Sequence, residues 1–216
     1  SVSGANTGSS TIAVKGAVAN AADTFGITFA GTADATATAL AKTAVSTGTV
    51  VVNDVEAVTV ASGGTGFVAN TLALTDSNLK SLTITGAQDL TLGFVGTNGT
   101  VVNPTTGGVT SIDGSAATGK LAINLANVNG VTAGLTVKVG AGDDTITTST
   151  AATTLTGGAG KDTFAVTLTA YGADKNITTI TDFASGDNVI TGATAGAITK
   201  VTLGVGVTTL DSALTA

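Results

Sequence analysis

Four apolar residues, Val137, Ile146, Leu155 and Phe164, follow one another at intervals of nine. A nine-residue period holds one short strand and one turn, the unit of a solenoid. Upstream the spacing is looser but the grammar is the same. Alternating segments recur at 55–60, 71–75, 79–85, 89–94, 109–113, 121–125 and 135–139, each bounded by Gly, Asn, Asp or Ser. Segments this short suit either a β-sandwich or a solenoid, and the regular period downstream favours the solenoid.

Composition agrees with a thin core. The 216 residues include 45 Thr and 30 Gly but one Pro, and aromatics make up 3%. Thr and Val suit pleated, half-buried backbone, and Gly suits the turns between short strands. The expected fold is all-β: a parallel β-helix or β-roll solenoid of short strands with Gly/Asp-rich turns. Residues 1–49 form a β-rich opening segment containing the strand-like run Asp23–Phe29. Residues 50–138 carry irregular solenoid repeats, 139–165 the nonapeptides, and 166–216 an exit or cap with the start of a following segment. A minor helical stretch is expected at Ala33–Ala44, where Ala33, Ala37, Leu40, Ala41 and Ala44 stand at helical spacing.

Several function classes are closed off by what the chain lacks. It has no Cys, His or Arg and no Trp, so it can build no disulfide, Ser-His-Asp triad or Cys-His dyad. A net charge of −6 leaves no basic stripe for nucleic acid. No long apolar run provides a membrane span. A sugar-degrading β-helix would need an aromatic groove and clustered acid–base residues, which this composition does not offer. Catalysis is not expected. Ser1 opens without a signal-peptide pattern and Leu210–Leu214 reads as the first turns of a helix, so the chain is expected to be an excerpt of a longer one.

The acidic residues are unequally chosen: 13 Asp and only Glu56 as Glu. Asp is disfavoured within strands, so it gathers in turns, where carboxylates also coordinate hard cations. Two stretches specify such a turn. Gly157-Gly158-Ala159-Gly160-Lys161-Asp162-Thr163-Phe164-Ala165 fits the pattern G-G-x-G-x-D-x-U-x, U being a large apolar residue, at every fixed position. Val139-Gly140-Ala141-Gly142-Asp143-Asp144-Thr145-Ile146-Thr147 misses only its first Gly, whereas Thr148–Thr156 keeps Leu155 and loses every Gly and the Asp. If two nonads make one coil, residues two nonads apart sit above one another. The two good turns then stack on one edge and the degenerate nonad falls on the other. Calcium takes about six to eight oxygens from carboxylates and carbonyls, and Asp144, Asp162 and the loop carbonyls would supply them. One complete site is expected there. A second candidate is Asp182 with Asp187, flanking a Gly turn, with Ile180, Phe183 and Ile190 available to cap an open solenoid end. Asp76, Asp89 and Asp113 read as ordinary turn residues.

Over Leu135–Ile190 these motifs resemble the RTX repeat family, whose members leave bacteria by type I secretion and fold on meeting calcium outside the cell. Asp162-Thr163-Phe164, Ile180-Thr181-Asp182-Phe183 and Gly186-Asp187 look like the exit from such a β-roll. Upstream, Leu79–Gly86, Ser111–Ser115 and Gly134–Val137 are similar to bacterial surface-layer proteins that carry RTX repeats. The resemblance implies calcium contacts through the carbonyls of Val139, Ala141, Gly158 and Gly160 beside the two Asp side chains. It also implies an extracellular, calcium-dependent structural segment that assembles into a lattice, with copies of itself and other surface components as partners. On that reading the coil from Val139 to Phe164 orders only after export. The alternative is the repeat or secretion region of an RTX adhesin or exoprotein. Two good nonads are fewer than the long arrays of secreted toxins, and the single Tyr171 gives little recognition surface.

Overall fold

The computed structural model describes residues 9–12, 22–95, 108–128, 134–149, 151–167 and 178–191. Among these residues all regular elements are strands, and every strand pairing is parallel. The strands are β1 (Ser9–Ile12), β2 (Thr24–Phe29), β3 (Thr43–Val52), β4 (Ala57–Ser62), β5 (Val68–Thr75), β6 (Ser81–Gly86), β7 (Asp89–Phe94) and β8 (Ser111–Ala117). They continue with β9 (Leu121–Asn124), β10 (Leu135–Lys138), β11 (Thr145–Thr147), β12 (Thr153–Thr156), β13 (Thr163–Val166), β14 (Thr178–Ile180) and β15 (Asn188–Thr191).

Odd-numbered strands pair in order in one eight-stranded sheet, and even-numbered strands in one seven-stranded sheet. Each coil therefore contributes one strand to each sheet, the signature of a two-sided solenoid. In the nonapeptide region the period is as the sequence implied: Leu135 pairs with Thr153 and Thr145 with Thr163, each two nonads on. Elsewhere the coil is longer, since Thr153 pairs with Thr178 and Thr163 with Asn188.

Parallel register converts alternation along a strand into columns across a sheet. In the even sheet Phe25, Val58, Leu82, Ile112, Val137, Leu155 and Ile180 stack in one column. In the odd sheet Leu72, Leu92, Ile123, Ile146, Phe164 and Val189 do the same. The nine-residue series alternates between these two columns, and all four of its members are buried. Outward positions carry small polar side chains, with Thr71, Thr91, Ala122, Thr145, Thr163 and Asn188 in one ladder. Full burial of a Leu, Ile or Phe side chain contributes roughly 1.5–3 kcal/mol, so the columns are the principal source of cohesion.

The helix expected at Ala33–Ala44 does not form. Asp34–Ala37 makes a turn (Ala37 N–H to Asp34 O, 2.9 Å), Thr38 and Ala41 exchange backbone bonds of 3.0 and 3.1 Å, and β3 begins at Thr43. The Thr38 hydroxyl accepts the Ala41 amide at 3.1 Å, offering the backbone a local alternative to helix. Leu40 is fully exposed, so a helix here would have had no apolar face to bury and no packing to offset its nucleation cost. The chain is held instead to the next coil through Ala33 N–H to Thr65 O, 2.8 Å. The helical turn expected at Leu210–Leu214, and Tyr171, lie outside the described residues.

Leu155 sits mid-column between Val137 and Ile180. Leu155→Ala is expected to lower unfolding free energy by about 2–5 kcal/mol, whereas Leu40→Ala should change it by less than ~0.5 kcal/mol. Urea denaturation followed by circular dichroism distinguishes the two; equal effects would contradict the column as the core.

Candidate metal centre

Three turns connect an even strand to the following odd strand at one end of this stack: residues 139–144, 157–162 and 181–187. The degenerate nonad supplies the connection at 148–152, on the opposite edge, as its sequence implied. The first two turns lie on one another because glycine allows it. Gly158 and Gly160 have φ of +89° and +132°, a region that side chains with a Cβ rarely enter. A Cβ on Gly158 would strike the Gly140 carbonyl, and one on Gly160 the Gly142 carbonyl. Across the close approach Ala159 N–H donates to Gly140 O (2.9 Å) and Thr163 N–H to Asp144 O (2.8 Å).

Five aspartates line this edge, and each carboxylate accepts main-chain amides. The Asp144 carboxylate takes Leu121 N–H at 2.7 Å and Gly140 N–H at 3.1 Å. Asp162 takes Asp144 N–H at 2.9 Å, and Asp187 takes Asp162 N–H at 2.9 Å and Ala184 N–H at 2.8 Å. Asp182 receives Gly157 and Gly158 at 2.9 and 2.7 Å, and Asp143 receives Lys161 at 2.8 Å. Asp144, Asp162 and Asp187 occupy the residue before β11, β13 and β15. Each bonds the amide of its register partner in the neighbouring coil, so the three make a ladder.

The expected site residues are thus brought together in part. Asp144 and Asp162 stack in successive coils, and both are almost wholly buried, at 1% and 2% exposure. Val139 lies against Gly158 through its carbonyl. Ala141 donates its amide to Ala117 O at 3.1 Å, and Gly160 rests on Gly142 rather than on Ala141. Asp182 and Asp187 do not form a separate locus. Their turn is the third layer of the same stack, with Phe183 packed on Phe164 at a centroid distance of 6.4 Å. Ile190, expected as a cap, is instead 49% exposed. Asp143 and the carbonyls of Gly140 and Gly142 are edge groups that the motif does not single out; Asp143 fills a variable position of the repeat and carries no signal there. Among the described residues no three acidic side chains already converge as a metal cluster. The donor set is nevertheless all oxygen, which suits calcium, magnesium or manganese rather than softer metals.

Of the other aspartates, Asp113 accepts the Ser115 amide and hydroxyl at 3.0 and 2.6 Å, bonds that hold its carboxyl below the usual range. Asp89 pairs with Lys42 at 2.6 Å. On the glycine edge, burial pushes Asp144 up to about 6, eased by the Leu121 and Gly140 amides and raised further by Asp162. Burial also raises Asp162, and the charges of Asp187, Asp182 and Asp143 add to it.

No family profile, no curated protein and no solved structure matches the chain.

A folded-state pKa above the unfolded value means that the native state binds the proton more tightly. The stabilising contribution of Asp144 is complete below the unfolded carboxylate range and is lost as pH rises through about 6. With chelator present, the urea midpoint is expected to fall between about pH 4.5 and about pH 7.5, the Asp144 share being roughly 2–3 kcal/mol. A midpoint that rises or stays level over that interval would show that these carboxylates are not held against their charge.

Proposed function

We propose that the stacked glycine turns bind calcium. The chain then serves as a structural, calcium-stabilised segment of a bacterial surface-layer protein, exported by type I secretion, that assembles with copies of itself into a lattice on the cell. What carries the calcium reading is the placement of Asp143, Asp144, Asp162, Asp182 and Asp187 along one edge in three stacked turns. The first site draws on Asp144 and Asp162 with the carbonyls of Val139, Ala141, Gly158 and Gly160. The second lies between the next pair of turns, on Asp182 and Asp187. Calcium would bind these residues by exchanging some of the amides they now accept for the ion, and would relieve the like charge that burial makes costly.

Support for a structural rather than a catalytic role comes from the absence of His, Cys and Arg from the sequence and from the outer walls. There, small and mostly polar side chains repeat from coil to coil, which gives a regular surface for side-by-side packing. Extracellular calcium modules bind at about 10⁻⁴–10⁻³ M. At ~100-fold excess over the dissociation constant each site adds roughly 2.7 kcal/mol of stability, and at cytosolic calcium the same site is empty.

Two measurements test this. Thermal melts with calcium and with chelator should differ, and an unmoved midpoint would sink the calcium reading. Asp162→Asn should abolish much of that difference while leaving the chelated midpoint equal or higher, since the amide oxygen still accepts Asp144 N–H and one like charge is gone. Electron microscopy of the purified protein in calcium should then show ordered sheets. Persistent monomers would favour a secreted RTX adhesin or exoprotein module over a lattice protein.

A further inference from the structure

The edge opposite the glycine turns holds a different arrangement of carboxylates. Residues 53–56 join β3 to β4, and residues 76–80 join β5 to β6. Inward positions at the end of β3 run Val50, Val52, and at the end of β5 Leu72, Leu74, all buried. The next residues of the same parity are Asp54 and Asp76. Val51 pairs with Thr75, so these two aspartates leave neighbouring strands at the same end of the core.

Asp76 is completely buried, at 0% exposure. Its Oδ1 accepts Asn78 N–H at 2.9 Å, while its Oδ2 is buried with no hydrogen-bond partner. The Asn78 side-chain amide donates to Asp54 Oδ1 at 2.8 Å, and Asp54 N–H donates to the Ser77 hydroxyl at 3.3 Å. Asn78 therefore bridges the two carboxylates, its amide N–H on one and its side chain on the other. Asp54 and Glu56 are half-buried at the mouth of this pocket of charge, and the Glu56 carboxylate accepts Asp23 N–H at 3.1 Å. Lys80 closes the same turn, its amide on Glu56 O at 2.8 Å.

A buried carboxylate oxygen with no partner is rare, because its desolvation is left uncompensated. On the glycine edge every aspartate facing that cost has amides to meet it. At Asp76 burial is the largest influence on the carboxyl, which stands at about 7; the Asn78 and Val55 amides ease it, and Glu56 and Asp54 raise it further. Protonation would remove the charge without giving Oδ2 a main-chain amide of the kind that the glycine-edge carboxylates accept. A hard divalent cation meets both needs: it takes the orphan lone pairs and offsets the neighbouring negative charge.

We propose that Asp76 and Asp54 form a further calcium site on this edge, with Asp76 Oδ2 as the inner ligand. Glu56 supplies further negative charge at the mouth. Main-chain carbonyls and water complete the shell, as is usual for this ion. The site does not rest on the calcium reading of the glycine turns, since it shares no residue with them.

Calcium bound per chain, measured by equilibrium dialysis on the purified protein, tests it in four forms: the original chain, Asp76→Asn, Asp162→Asn, and both together. Asp76→Asn is expected to remove one calcium per chain whether or not Asp162 is changed. If Asp162→Asn has no effect while Asp76→Asn still does, the glycine-edge reading fails and this one stands. Unchanged calcium in Asp76→Asn, with a raised melting midpoint in chelator, would mean that Asp76 is simply a neutral buried acid and would overturn the proposal. Should Asp76→Asn not fold, Asp54→Asn serves in its place. It should weaken calcium binding by at least ~10-fold while retaining the β-type circular dichroism spectrum, and unchanged affinity there overturns the proposal equally.

Discussion

Everything in this molecule depends on the parallel hydrogen-bond register between successive coils. Once Leu135 is fixed opposite Thr153 and Thr145 opposite Thr163, each coil repeats the chemistry of the one before it at the same height. Apolar residues become columns, Thr becomes a ladder on the outer wall, and any residue placed just before a strand is stacked on its counterpart. Coils of different length keep this order because the surplus residues leave through the connections. In the last described coil the surplus falls chiefly between β13 and β14, and not in the glycine turn that joins β14 to β15. The glycine-edge turns of neighbouring coils therefore still face one another.

That rule also determines what the aspartates do. The residue preceding β11, β13 or β15 has a neighbouring coil's amide within reach, and its short carboxylate accepts it. Asp89, the first residue of β7, stands one position away from that column; it takes Lys120 N–H at 3.2 Å from the following coil, and its second oxygen meets Lys42. An ion pair at that level of exposure is worth about 0.2–1 kcal/mol, but it neutralises the charge locally. In the neighbouring, inward-facing column Asp144, Asp162 and Asp187 each accept an amide from the preceding coil, and among the described residues none of them makes an ion pair. Lysine thus neutralises an aspartate beside the ladder from within the chain, while the ladder itself keeps like charges in neighbouring coils.

The parts of this arrangement that the sequence displays are those where the coil is shortest. At two nonads per coil there is no slack, so both the apolar period and the glycines are forced, and the two-edged arrangement of the nonads follows from spacing alone. The third turn is legible only as a separate Gly-Asp turn, because its longer coil takes Asp182 and Asp187 off the nonad interval and conceals that they belong to the same stack. At Ala33–Ala44 local propensity points to a helix, but propensity is decisive only when a face can be buried, and Leu40 has none. The strand β3 is obscured for the complementary reason: its pairing with β5 is broken by an irregularity between Ser46 and Thr49, so its alternation is interrupted midway. Asp76 is legible in principle. Leu72, Leu74 and Asp76 share one parity, but Asp after a strand also reads as a turn former, and only the core-facing register separates the two.

The two edges therefore pose different problems to an ion. On the glycine edge the carboxylates are already satisfied by main-chain amides, so an ion entering there must compete with hydrogen bonds that also hold the coils together. Its net effect is the difference between two good arrangements, and the site remains folded and responsive to calcium across a narrow range of free energy. At Asp76 no amide meets Oδ2, and an ion displaces nothing from that oxygen. Binding there adds to the fold instead of exchanging one set of contacts for another. A solenoid that carried only the second kind of site would be held rigid by calcium, and one that carried only the first would be tuned by it. With both, as proposed, one edge would be held by calcium and the other tuned by it.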